Sequence, residues 1–155
     1  LLCLLAAAPV AAHAQGASVA FGGLKQDTSQ PVEISADQLA VNQADGTATF
    51  SGNVLVGQGQ MRLSAGSVRV EYGADGKAIE RLHATGGVTL ASGAEAAEAR
   101  EAVYTIASGQ VVMTGDVMLT QGQSALSGQK LVIDLKAGTG VVEGRVQTIF
   151  VPGGN

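Results

Sequence analysis

Thiols, aromatic rings, prolines and basic charge are all scarce in this sequence. It has one cysteine, no tryptophan, three prolines and an aromatic content of 3% across 155 residues. A lone Cys3 excludes an internal disulfide framework and leaves the body of the chain without a thiol nucleophile. The formal net charge is −4, so there is no basic face of the kind that phosphate backbones require, and a nucleic-acid partner is not expected. After the first residues no apolar run is long enough to cross a bilayer as a helix. What the chain has instead is 46% hydrophobic residues and 22 glycines, a composition suited to short strands and tight turns.

The opening "LLCLLAAAPVAAHAQG" is a short apolar run that ends in Ala12-His13-Ala14, an A-x-A cleavage pattern. It reads as part of a secretory signal peptide (residues 1–14), with Cys3 lost on cleavage near Ala14. The expected product is an exported protein with a flexible segment over 15–30, a β domain over 31–152 and a short tail over 153–155.

The body of the chain repeats. "FSGNVLVGQGQMRLSAGSVRV" (Phe50–Val70) returns as "MTGDVMLTQGQSALSGQKLVI" (Met113–Ile133) and, more loosely, as "ATGGVTLASGAEAAEAREAVY" (Ala84–Tyr104). The anchoring glycines Gly52, Gly86, Gly115 and Gly144 lie 34, 29 and 29 residues apart. Such agreement marks a structural repeat. Each unit reads as two strands with alternating apolar residues, as in Phe50/Val54/Val56 followed by Val68/Val70/Tyr72. In the second strand an earlier apolar residue (Ile34, Leu63, Leu126) falls on the opposite parity, with a small residue between (Ala36, Ala65, Ala99, Gly128). That pattern predicts a bulge or corner that lets both halves face inward. Turns are expected at Asp45-Gly46, Asp75-Gly76, Ser108-Gly109 and Ala137-Gly138, and again at Gly59, Gly93 and Gly122. The expectation is an all-β fold of eight bent antiparallel strands, near 32–41, 47–57, 60–72, 78–91, 94–106, 110–120, 123–135 and 140–151. They would form an open, two-sheet jelly roll of four rungs per sheet, about 20 Å deep. Its first and last strands would leave unpaired edges, open to a partner strand near Ala40 and Val142.

No catalytic constellation emerges. His83 lies on the polar parity of a strand and reads as a solvated residue rather than a base. Glu95, Glu98, Arg100 and Glu101 read as a solvated charge cluster. The acidic turns lack a calcium-binding pattern, and one histidine among scattered carboxylates is a poor metal site. Neither enzymatic activity nor a cofactor is expected. The inward face is the informative surface, mostly Val, Leu, Ile and Ala with Phe50, Tyr72, Tyr104 and Met113 as its large members. Composition alone fits a dry packed core, as in a structural or adhesive β-solenoid. It also fits an incompletely filled groove for an elongated apolar ligand, each buried methylene contributing roughly 0.8 kcal/mol.

Four segments then carry a resemblance: "QPVEISADQLAV" (Gln30–Val41), "GTATFSGNVLVGQGQMRLSAGSVRVEY" (Gly46–Tyr72), "VVMTGDVMLTQGQSALSGQKLVI" (Val111–Ile133) and "GRVQTIFVPGG" (Gly144–Gly154). Together they resemble the OstA-like (LptA) family of periplasmic lipopolysaccharide-transport proteins of Gram-negative bacteria. The resemblance implies a V-shaped β-jelly roll that shields the lipid A acyl chains of lipopolysaccharide. It further implies head-to-tail self-association, with an LptC-like inner-membrane protein at one end and the N-terminal domain of an LptD-like outer-membrane protein at the other. These two are siblings sharing the fold, and the signal peptide favours the LptA group. Positions matching the family's cavity are Thr28 near the entrance, Val32, Ile34, Leu90, Tyr104 and Ile106. Parity adds Phe50, Val54, Leu63, Val68, Val117 and Leu119 to the expected groove lining.

Overall fold

The computed structural model of the chain describes residues 17–20, 25–74 and 76–151. These residues form thirteen strands, all paired antiparallel: β1 (Ala17–Ala20), β2 (Glu33–Ser35), β3 (Gln38–Asn42), β4 (Thr47–Gln58), β5 (Met61–Tyr72), β6 (Ile79–Thr85), β7 (Val88–Ser92), β8 (Glu95–Ala99), β9 (Glu101–Thr105), β10 (Gln110–Gln121), β11 (Ser124–Asp134), β12 (Thr139–Glu143) and β13 (Gln147–Ile149). The eight expected strands are all present. Four of them are broken in two at the corner, and four (β4, β5, β10, β11) run through it.

The corner folds this sheet into two facing walls. In β4 the register slips between Ser51 and Val54, and in β10 between Thr114 and Val117. At both slips a glycine and the residue after it have positive φ: Gly52 (79°) with Asn53 (48°), and Gly115 (85°) with Asp116 (47°). Two consecutive left-handed residues turn the strand without ending it, which is costly for side-chain-bearing residues and explains the glycine. Side chains pin the corner from outside. Asn53 donates to the Asp37 carboxylate at 2.9 Å, and Arg100 pairs with Asp116. In β5 the corner lies at Gly66, where inward parity changes from Leu63/Ala65 to Val68/Val70, as the repeat implied.

Bending every long strand puts each of them in both walls, which corrects the expected depth. The first wall runs β3, β4, β5, β6, β9, β10, β11, β12, β1, nine rungs. The second runs β2, β4, β5, β7, β8, β10, β11, β13, eight rungs. At the strand spacing of about 4.8 Å the stack is about 38 Å deep rather than about 20 Å.

The starting edge is as expected, and the far edge is open at β13 but not at β12. At the starting end β2 and β3 pair only with β4, so that edge is open. At the far end β12 is covered by β1, with Val142 opposite both Leu131 and Ala17. Val142 is therefore an interior ladder position, and a proline there would break the fold's own pairing rather than probe a partner. β1 was not foreseen, because "ASVA" has neither the repeat register nor an alternating pattern. The glycine turns occur where the sequence placed them, while Asp75 lies outside the described residues.

Candidate functional site

Cross-strand register lines up the inward side chains in rows that run the depth of the molecule. One row of the first wall reads Leu39, Phe50, Val68, Ala84, Ala102, Met113, Leu131, Val142. Its neighbour reads Val41, Ala48, Val70, Leu82, Tyr104, Val111, Ile133, Gly140. The facing row of the second wall reads Ile34, Val56, Leu63, Leu90, Ala97, Leu119, Leu126, Thr148. Away from the two ends these rows are apolar apart from the Tyr104 hydroxyl, and their side chains merge into one hydrophobic cluster. The repeat explains this continuity: one pattern, copied along the chain, places the same residue type at the same height in each rung.

Of the positions expected to line a groove, Val54, Leu63, Val68, Leu90, Tyr104, Val117 and Leu119 are buried in this cluster. Val32, Ile34, Phe50 and Ile106 are partly buried against it. Thr28 lies apart, half-buried on a segment that crosses between the walls. Tyr72, expected among the large inward members, is 39% exposed at the free margin of the first wall. The first-wall rows are bare at one end only. That is the starting end, where Leu39 and Val41 are 52% and 66% exposed; at the far end the first-wall rows finish at buried Val142 and Gly140 beneath β1, and the second-wall row finishes at exposed Thr148.

The walls meet at the corner and part at a mouth, and polar side chains at the mouth escaped the sequence reading. Gln58, at the lip of β4, is 1% exposed. Its Oε1 accepts a hydrogen bond from the Tyr104 hydroxyl of the opposite wall at 2.7 Å. Its Nε2 donates to the backbone carbonyls of Thr28 and Gln30 at 3.1 and 2.9 Å. Burial pushes the Tyr104 phenol up to about 12, against a smaller opposing effect of its bond to Gln58, so the hydroxyl stays a donor at any physiological pH. Ser92 and Gln121 occupy the lip positions equivalent to Gln58, each just before the glycine of a two-residue turn. Glu95, expected to be solvated, is half-buried here, and its Oε1 accepts from Gln121 Nε2 at 3.3 Å. A polar residue before Gly59, Gly93 and Gly122 was visible in the repeat. Its burial was not, since for Gln58 that depends on residues some thirty positions away.

The outer surface is charged and solvated. Arg69 and Arg81 flank Glu71, and His83 Nε2 lies 3.5 Å from Glu101. Among the described residues no group of three or more His, Cys, Asp or Glu could hold a metal, and no helix is long and apolar enough to cross a membrane.

Two bent walls enclosing a continuous apolar interior define an all-β jelly roll with one free side. Residues 33–139 match the family model described as LptA/(LptD N-terminal domain) LPS transport protein, and the chain belongs to that family. It is 32% identical over 153 residues to an uncharacterized protein of Rhizobium meliloti (strain 1021), covering 92% of this chain and 82% of that one. It is 30% identical over 146 residues to the lipopolysaccharide export system protein LptA of Escherichia coli (strain K12), covering 88% and 79%. The fold matches the crystal structure of LptH, the LptA-homologous periplasmic component of the lipopolysaccharide transport device of Pseudomonas aeruginosa. That match has a TM-score of 0.73 at 19% identity, over 82% of this chain and 99% of LptH.

Proposed function

We propose that the chain is a periplasmic lipopolysaccharide carrier that holds lipid A acyl chains between its walls and stacks end to end as part of a bridge between the two membranes. The observation that carries this reading is the set of apolar rows that run through the depth and emerge bare at the starting end, beside an open strand edge. A dry core has no need to leave Leu39 and Val41 in water, whereas a conduit built from stacked copies needs apolar rows that continue across a junction. At about 38 Å one copy falls short of a periplasm, so several must stack head to tail, a heterologous contact that propagates. The open edge of β2 and β3 is the natural acceptor, with an LptC-like protein and the N-terminal domain of an LptD-like protein as the terminal partners. Catalysis has no part in this role. Shielding a dozen methylenes contributes on the order of 10 kcal/mol without a reactive group.

A second reading, an exported structural or adhesive β-solenoid, draws on the close packing of the interior, where Val68, Leu90, Val111 and Leu119 have no exposure. Photo-crosslinking residues at Ile34, Leu90, Tyr104 and Ile106, with outward Thr89 as control, separate the two. Lipopolysaccharide adducts at the inward positions alone are expected. Folded protein that gives no adduct at any of them favours the solenoid.

A further inference from the structure

The free side of the interior is crossed by a segment that belongs to neither wall. Residues 25–31 form no strand, and they pass from one lip of the mouth to the other. On the first wall the Gln26 amide donates to the Leu135 carbonyl at 2.7 Å, and Thr28 Cγ2 lies 3.3 Å from where a Cβ on Gly109 would sit. On the second wall Gln26 Nε2 donates to the Gln58 carbonyl at 2.6 Å, while Gln58 Nε2 spends both its hydrogens on Thr28 and Gln30. The remaining acceptor of the same amide takes the Tyr104 hydroxyl across the interior. One buried side chain thus ties together both lips and the strap that lies over them.

We propose that residues 25–31 are a gate over the acyl-chain interior, latched by Gln58, and that this strap lifts when lipid occupies the interior. The inference rests on the carrier reading above. The need to lift follows from the chemistry of the ligand: chains held between the walls leave their head group in water only if it emerges through the mouth, where the strap lies. The strap is suited to move. Lys25, Asp27, Ser29, Gln30 and Pro31 are exposed, so it covers the mouth while burying little apolar surface of its own. Its hold is a handful of hydrogen bonds, each exchangeable for one with water or with a lipid head group, whereas the walls are held by complete ladders. The latch is also specific to an amide, since only Gln or Asn presents two donors and an acceptor from one side-chain terminus.

Amide hydrogen exchange of the wild-type protein, with and without saturating purified lipopolysaccharide, tests this, with a photo-adduct at Leu90 as the independent sign of loading. The expected result is exchange over 25–31 at least tenfold faster in the loaded protein, with 61–72 not accelerated. Loading with unchanged or slower exchange over 25–31 makes the strap a fixed strut and overturns the gate while leaving the carrier intact. Absence of loading overturns both. Gln58→Glu keeps the shape but removes both donors and sets a carboxylate against two carbonyls. It should free the strap without ligand and raise the rate of adduct formation at Leu90 about tenfold. A freed strap with an unchanged rate contradicts the gate, and if this variant fails to fold, the wild-type exchange experiment decides alone.

Discussion

The two walls are joined along two seams, and the seams are built differently. At the corner the connection is covalent: β4, β5, β10 and β11 pass through it, with β4 and β10 bent at paired left-handed residues and pinned outside by Asp37–Asn53 and Arg100–Asp116. At the mouth no strand crosses, and above the packed interior the lips are tied by hydrogen bonds that converge on Gln58. A seam that cannot open faces one that can. The difference teaches how a protein with a filled interior can still be a container: the corner preserves the relation of the walls while the mouth is released.

Both seams depend on the interior, and emptying it should have the largest effect. Leu90→Ala removes a fully buried side chain from the middle of the second wall and should cost about 2–5 kcal/mol, read as a lowered urea midpoint with unchanged slope. Next comes the corner. Gly115→Val forces a β-branched residue to φ 85°, with its Cβ 2.9 Å from Arg100 Cδ, and should cost about 1–3 kcal/mol in the same assay. The mouth should be softer. Tyr104→Phe deletes one hydrogen bond without a cavity and should cost about 1 kcal/mol at neutral pH.

The same substitution carries a pH signature. The folded phenol sits at about 12 against 10.0 for the free group, so folding favours the protonated form. Its contribution is complete below pH 10 and is lost as pH rises toward 12. Wild-type protein should therefore lose about 1 kcal/mol between pH 9 and pH 11 that the phenylalanine variant does not lose. An identical slope in both would remove Tyr104 from the latch. The smallest effect belongs to the outer face: Arg69→Ala, at an exposed pair with Glu71, should change stability by less than about 0.5 kcal/mol.

Much of this architecture was legible in the sequence because the repeat is local. Alternation fixed the strands, parity reversal around Ala65 and Gly128 fixed the corner, and the glycines fixed the turns. Two things were legible only in part. The rung number followed from recognising that a bent strand belongs to both walls, which parity hints at and pairing decides. The open edge was correct at β2 and β3 but not at Val142, because β1 covers β12 from a segment with no pattern of its own. The latch was illegible. Gln58 before a turn glycine looks like a solvated lip, and only the return of residues 26–30 buries it. Repeats announce what is common to every rung. What happens once, at one rung, has to be seen in three dimensions.

The most direct measurement compares the seams themselves. Spin labels at Gln60 and Ala107 report the width of the mouth, and a second pair at Thr114 and Met118 spans the corner; all four sites lie outside the packed interior. Distances from pulsed electron paramagnetic resonance, with and without purified lipopolysaccharide, should lengthen by several ångströms at the mouth and stay fixed at the corner. Equal change at both seams, or lipid bound with neither distance altered, would contradict a fixed corner and a releasable mouth.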